Sequence, residues 1–401
     1  MKLQDLEVFV TANPPPRKGG RYFIFVKLVT ACGVVGYGEI YAASFSPYVI
    51  KLAAQDVFSR HFAGADPHRV EQLYRLTYSS GYHQRPDPTL MGIFAGLEIA
   101  CLDIVGKSAG KPVYDLLGGK TRERLRTYSY LYPAGGDVYP DPNAPSVYSD
   151  PDIAAARALD YVEAGFTAVK FDPAGPYTIY DGRQPDLAAI ERSAAFCQRI
   201  REAVGTRADL LFGTHGQFTA SGARRLAARL EPYDPLWFEE PTPPESPEMM
   251  AEVARSTTIP VATGERLTTK YEFARVLSTG AASILQPALG RVGGILEAKK
   301  IAAMAEPHYA VLAPHLYCGP VEGAANIQLA ACIPNFLILE SIEKFDGPWG
   351  AFIKHGVRWD EGYILPSTEP GLGIELDEAL CRSMPYEGTK LHLEMQAEAE
   401  G

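Results

Sequence analysis

The 401-residue sequence is short of positive charge, of any cysteine pattern and of long apolar runs. Thirty-eight Lys and Arg face 48 Asp and Glu, a net charge of −10, which excludes the non-specific pull toward nucleic acid or anionic membrane that a basic surface exerts. An anionic ligand must therefore be drawn by a local positive centre. The six cysteines, Cys32, Cys101, Cys197, Cys318, Cys332 and Cys381, show no CxxC or other ligand spacing and read as reduced thiols of a cytoplasmic protein, not as a disulfide framework. The start, MKLQDLEVFV, has no basic stretch leading into an apolar core. No segment approaches ~18 uninterrupted apolar residues, so neither a targeting signal nor a membrane span is expected.

What is present is an ordinary globular composition, 46% hydrophobic and 21% charged, in a chain long enough for two domains. From Leu6 to Ile40, VFVTAN, RYFIFVKLVT and GVVGYGEI alternate aromatic and β-branched residues around a turn at Gly33, the pattern of a small antiparallel meander. Between Met91 and Leu117, Ile93, Leu97, Cys101 and Ile104 fall at helical spacing and SAGKP closes the helix. The spacing thus predicts an α+β domain over residues 1–123.

From Arg124 the pattern changes to a short apolar run, a polar turn and an Ala-rich amphipathic segment, repeated, which is the signature of parallel βα units. Strand ends are expected near Tyr132, Asp172, His215, Glu239, Glu265, Ala288, His315 and Glu340, the later ones 23 to 27 residues apart. This rhythm suits a TIM-like (β/α) barrel over 124–366, whose active site gathers at the carboxyl ends of its strands. The stretch 173–185, PAGPYTIYDGRQP, exceeds what a plain βα connection needs and reads as an active-site loop. The tail over 367–401 is expected to pack back on the first domain.

The residues at those strand ends carry chemistry. LWFEEP holds Glu239 and Glu240, and PVATGER places Glu265 26 residues after Glu239 at the same depth of the next unit. Converging hard oxygen ligands are what Mg²⁺ selects. His315 in APHLYCGP lies 50 residues beyond Glu265, where an imidazole can face the barrel mouth as a general base. Lys170 and Asp172 in AVKFDP point to one side of a strand, and a lysine desolvated there beside a cation has a lowered pKa and serves as a base. His215 in LLFGTHGQ is placed to protonate a leaving oxygen. Each of these also has a plainer reading, as a surface charge or a structural histidine; their shared rim favours function.

Taken in order, GYGEI, GKPVYDLLGG, KFD, THGQ, WFEEP, ATGER, QPALGRVGG, APH and the ILE around Glu340 make the chain resemble the enolase superfamily, in particular the mandelate racemase-like acid-sugar dehydratases. The resemblance implies an α/β enzyme with an α+β capping domain over a (β/α)₇β barrel, and a substrate carboxylate bound to Mg²⁺. It matches Glu239 and Glu265 to the second and third metal ligands. Lys170 and His315 match the two bases, His215 a general acid, and Glu340 the acidic residue near the substrate carboxylate. Two positions depart. The first metal ligand, an aspartate in the family, is Gly213 here, and Asp172 is the expected replacement, with His215 as the weaker choice. Ala288 stands where an aspartate usually orients the histidine matched by His315, which makes His315 a weaker base at rest or an acid.

Arg17, Lys18 and His83, on loops expected to cover the mouth, and Gln286 in QPALGRVGG are the candidate substrate contacts. The leading expectation is removal of the α-proton of a sugar acid with loss of the β-oxygen, giving a 2-keto-3-deoxy acid. A cycloisomerase opening a 3,6-anhydro or lactone ring, a racemase or epimerase, and a non-catalytic sugar-acid-binding protein are the alternatives. The resemblance also implies a homo-oligomer.

Overall fold

The computed structural model describes residues 1–139, 141 and 144–397. The chain opens with an antiparallel sheet of β1 (Leu3–Ala12), β2 (Tyr22–Thr30) and β3 (Val35–Glu39), joined in sequence order. The turn into β3 is made at Gly33, whose φ of 85° favours glycine. Three helices pack on this sheet: α1 (Pro47–Val57), α2 (Val70–Tyr78) and α3 (Pro88–Ala109). Asp87 starts α3 by accepting the N–H groups of Thr89 at 2.9 Å and Leu90 at 3.0 Å, and Gly110 ends it in the left-handed region. By length and mean hydropathy, 1.7, α3 is apolar enough to cross a membrane, yet 83% of its apolar window is buried inside the protein. Its contact with β3 is close enough that a Cβ on Gly38 would lie 1.9 Å from the Gly96 carbonyl oxygen. A short helix, α4 (Val113–Leu116), leads out of this domain.

Eight parallel strands follow: β4 (Leu125–Tyr130), β5 (Ala168–Phe171), β6 (Asp209–Gly213), β7 (Trp237–Glu239), β8 (Val261–Thr263), β9 (Ile284–Leu285), β10 (Val311–Leu312) and β11 (Leu339–Ser341). They pair in sequence order from β4 to β10. β11 pairs with β4, setting Glu340 opposite Tyr128, and Leu337 N–H reaches Leu312 O at 2.8 Å, which closes the ring. Helices α5 (Pro151–Glu163), α6 (Leu187–Val204), α7 (Ala220–Leu230), α8 (Pro247–Ala254), α9 (Thr269–Thr279), α10 (Leu289–Val292), α11 (Gly294–Ala305) and α12 (Pro320–Cys332) alternate with the strands. The barrel is filled, not hollow. Tyr128, Ala168, Leu211, Trp237, Ala262, Ile284, Ala313 and Ile338, one from each strand or its edge, form a separate buried cluster in which large and small side chains complement one another.

The expected strand ends Tyr132, Asp172, His215, Glu265, Ala288 and His315 lie one to three residues past the last strand residue, while Glu239 ends β7 and Glu340 sits within β11. The difference is geometric: the functional side chains fan over the mouth from the first loop residues. After the barrel, α13 (Gly347–Gly350) precedes β12 (Ile353–Lys354); β13 (Arg358–Asp360) and β14 (Tyr363–Leu365) form a hairpin beside β4, and β15 (Glu375–Leu376) pairs with β12. Beyond α14 (Glu378–Ser383) the tail returns to the first domain, with Ala12 N–H on Met384 O at 2.7 Å and Tyr386 N–H on Val10 O at 3.2 Å. It then crosses the barrel loops, where Gln396 N–H reaches Tyr177 O at 2.9 Å and Ile179 N–H reaches Gln396 O at 3.0 Å. All six cysteines are free.

Candidate active site

Strand alternation turns Lys170 and Asp172 to the barrel mouth and Phe171 outward, against Phe212. Lys170, 2% exposed, donates to Glu239 Oε1 at 2.7 Å and lies 3.6 Å from Glu340 Oε1. The other Glu239 oxygen accepts the indole N–H of Trp237 at 3.1 Å. Glu340 Oε2 accepts Leu316 N–H at 2.8 Å and stands 4.0 Å from His315 Nε2. That nitrogen is 3.3 Å from Glu265 Oε2, whose partner oxygen is 3.8 Å from His215 Nε2. His215 Nδ1 pairs with Asp172, which also accepts the Tyr177 hydroxyl. Asp172, His215, Glu265, His315, Glu340, Lys170 and Glu239 therefore form one continuous run of polar contacts over the mouth. All seven were legible in the sequence.

The electrostatics separate the two histidines. Burial pushes His315 down to about 4, only partly opposed by Glu265. Burial also disfavours charge on His215, but Glu265 and Asp172 outweigh it and raise the group to about 9. At neutral pH His315 is a proton acceptor and His215 a proton donor. The Ala288 substitution has its expected consequence: its backbone bridges to that of His315, and His315 Nδ1 has no hydrogen-bond partner among the described residues. Lys170 differs from the sequence expectation. Burial favours its neutral form, yet Glu239 and Glu340 overcome this and hold it well above its ordinary value. The carboxylates, expected to be shared with a cation, reach the ammonium directly.

Glu240, fully buried, pairs with Arg266 Nε at 2.8 Å, and the same guanidinium donates to the His215 carbonyl at 2.9 Å. His215 (φ 47°) and Glu240 (φ 39°) both occupy the left-handed region, which costs about 1 to 3 kcal/mol each for such residues. Arg266 latches both, so the strain is held where the donor histidine must point. Arg266 was missed as a site residue, though its signal was present: it follows Glu240 by the same 26 residues that separate Glu239 from Glu265. Tyr177 lies in the stretch 173–185 read as an active-site loop and Tyr41 in a loop over the mouth, while Arg291 and His392 were not singled out.

The predicted substrate contacts divide. Gln286, at the end of β9, is fully buried and neither of its amide atoms has a hydrogen-bond partner among the described residues. Arg17 is paired with Asp137 at 3.0 Å and Lys18 with Glu343 at 2.5 Å, so both cations are already engaged within the protein. His83 is exposed on the loop before α3 and the structure does not bring it to the polar run. Arg17 and Lys18 thus carry ion pairs with partners distant in sequence, and His83 faces solvent.

Among the described residues no three His, Cys, Asp or Glu side chains already stand at the spacing of a metal cage. The donor set nonetheless fits a hard divalent cation. A Cβ at Gly213 would contact Glu239 Cβ at 3.7 Å and Asp172 Cβ at 3.8 Å, so these two carboxylates flank the position where the family pattern has its ligand. Glu265 Oε2 is buried without a hydrogen bond, and burial raises Glu239 and Glu340 against the opposing pull of Lys170. Buried carboxylates in excess of their cations are stabilised by added positive charge.

Sequence comparison agrees with this geometry. Residues 12–118 match the mandelate racemase / muconate lactonizing enzyme N-terminal domain, and residues 154–380 match the enolase C-terminal domain-like family. The chain belongs to the mandelate racemase-like subgroup of the enolase superfamily and is an enzyme of that type. Among its relatives, a D-galactonate dehydratase of Ralstonia pickettii is 37% identical over 92% of this chain and 91% of its own length. A D-gluconate/D-galactonate dehydratase of Picrophilus torridus is 34% identical over 96% and 95%. Among solved structures, a candidate mandelate racemase/muconate lactonizing enzyme from Labrenzia alexandrii superposes with a TM-score of 0.95 at 66% identity, covering 99% of this chain and 100% of the other.

Proposed function

We propose that the protein is a magnesium-dependent sugar-acid dehydratase, removing the proton beside the carboxylate and expelling the oxygen on the neighbouring carbon to give a 2-keto-3-deoxy sugar acid. The observation that carries this reading is the placement of His215 Nε2 and His315 Nε2 against opposite oxygens of Glu265, so that two proton-transfer groups face one point of the barrel mouth from different strands. The relatives named as galactonate and gluconate dehydratases support it.

Asp172, Glu239 and Glu265 would hold Mg²⁺, which supplies a Lewis acid for negative charge building on the substrate carboxylate. His315 Nε2 accepts the α-proton. Lys170, against Glu239 and Glu340, is placed to put positive charge beside the developing anion, or to take the α-proton once a cation claims Glu239. Glu340, fixed through the Leu316 N–H, aligns Lys170. His215 gives its proton to the departing oxygen as the C–O bond breaks and the C–H electron pair becomes the C=C bond. The enol then takes a proton on C3 and loses the proton of its C2 hydroxyl to become the keto acid; His315 releases its proton and His215 regains one, which closes the cycle. Free cysteines and the family resemblance support a homo-oligomer in a reducing, cytoplasmic compartment.

The test is proton NMR in D₂O with Mg²⁺, using D-galactonate, D-gluconate and a 3,6-anhydro sugar acid. Loss of water from a linear acid is expected, with His215→Asn retaining α-proton exchange but not elimination, and His315→Asn losing both. Ring opening of the anhydro acid alone would replace dehydration by cycloisomerisation. Absence of exchange and of turnover across these acids would favour the binding protein.

A further inference from the structure

His315 lacks the acidic partner that would orient its ring, and the structure puts something else against it. Tyr41, on the loop after β3, lies nearly parallel to the imidazole, with ring centroids 6.1 Å apart and planes 12° from coplanar. Tyr41 is 4% exposed and its N–H is fixed on Gly290 O at 3.0 Å. The Arg291 guanidinium lies 4.1 Å from the Tyr41 ring centroid, and Arg291 is itself anchored on the Glu265 carbonyl at 3.0 Å.

Tyr41 is also held from the tail. His392, 3% exposed, packs edge-on to it at 5.3 Å, with its Nε2 on Tyr317 O at 2.8 Å. It sits so close over Gly20 that a Cβ there would lie 2.0 Å from the imidazole. The cavity bounded by Tyr22, Glu39, Tyr41, Cys318 and His392 measures about 10 Å³, room for about one water. The stack is packed solid, and each ring is set by a different part of the chain: tail, capping domain and barrel.

We propose that Tyr41 is the positioning residue for His315, replacing by ring packing the carboxylate partner that Ala288 cannot supply, and that His392 makes the C-terminal segment part of this device. The physical basis is direct. An imidazole with a free Nδ1 can rotate about its side-chain bonds, whereas a parallel aromatic face restricts that rotation, and aromatic pairs contribute about 0.5 to 1.5 kcal/mol beyond burial. Misplacing a reacting group by about 1 Å can cost up to ~100-fold in rate. The catalytic consequence rests on the proposed role of His315; the geometric claim does not.

The test uses full-length enzyme with Mg²⁺ and ¹³Cε1-labelled histidine, the His315 resonance being identified by its loss in His315→Asn. Tyr41→Leu should shift and broaden that resonance, Tyr41→Phe should restore it, and His392→Ala should move it the same way by less. On any acid the wild type turns over, Tyr41→Leu should lower kcat about 10-fold or more with little change in KM, rescued by Tyr41→Phe. An unmoved His315 resonance in Tyr41→Leu overturns the inference, as does failure of Tyr41→Phe to restore it, which would assign the effect to the hydroxyl. His392→Ala carries the same test if Tyr41→Leu does not fold. Full activity in His315→Asn would instead refute the proposed function while leaving the resonance experiment decisive here.

Discussion

Replacing Glu322 by Gln should make the protein more stable at pH 8 and leave it unchanged at pH 5. Glu322 and Glu39 are fully buried side by side where the capping sheet meets the barrel. Glu39 accepts Gly319 N–H at 2.5 Å and Glu322 N–H at 2.9 Å, capping the start of α12. Glu322 accepts the Cys318 thiol at 2.7 Å on one oxygen, while its other oxygen has no partner. Burial pushes Glu322 up to about 7, although Cys318 and nearby backbone N–H groups favour its ionised form. From an ordinary value of 4.5 this is about 2.5 units, or about 3 kcal/mol. The folded state keeps the proton through a window in which the unfolded state loses it, so stability falls as pH rises from about 4.5 to 7, and the loss is complete above that. Glu39, pushed to about 8 by burial and then by Glu322, shares this effect, so the two shifts do not add. In Glu322→Gln position 322 no longer ionises, and Glu39 keeps only the part of its shift that burial causes. Urea unfolding followed by tryptophan fluorescence, for both proteins at pH 5 and pH 8, gives the difference in pH dependence directly. Equal slopes for variant and wild type would refute the buried proton.

Arg266→Ala should lower stability by about 3 to 5 kcal/mol, because Glu240 is left buried without its partner. It should also reduce turnover because the His215 carbonyl loses its donor; thermal denaturation and kcat read the two effects separately. Gly213→Asp should raise Mg²⁺ affinity about 10-fold or more by calorimetry, since the added Cβ meets only ordinary contacts and a third-strand carboxylate joins Asp172 and Glu239. Unchanged or weaker binding would mean that Asp172 already occupies the place the new carboxylate would take.

The barrel was legible because the later βα units repeat nearly the same length, so a residue type recurring at that interval recurs at the same depth. The interval placed Glu239 and Glu265 together, and alternation placed Lys170 with Asp172. What the repeat could not supply were contacts made by segments that do not belong to it. Glu343, 325 residues from Lys18, takes the cation that seemed free for substrate, and it follows β11 without any distinctive motif. Tyr41 faces His315 from the capping domain, and His392 packs on Tyr41 from the tail. A motif likewise identifies Lys170 but not the balance between burial and the carboxylates around it.

Relative to the family pattern this site lacks two aspartates, at Gly213 and Ala288, and the structure offers a different substitute for each. At Gly213 the loss is of charge, and in the proposed site Asp172 supplies it from the adjacent strand, its Cβ standing 3.8 Å from where a Cβ on Gly213 would lie. At Ala288 the loss is of both charge and orientation, and the surroundings return only orientation, because Tyr41 is neutral and Arg291 behind it opposes protonation of His315. The two replacements therefore act in opposite directions. One keeps the cation site acidic, and the other leaves a well-placed histidine that starts the cycle without its proton. In the proposed reaction the acid of the pair is His215, which keeps Asp172 and Glu265 as neighbours and is latched by Arg266. A site that had lost function would show no reason for its two histidines to be divided in this way, and the division is what an elimination requires: one group free to take a proton and another ready to give one.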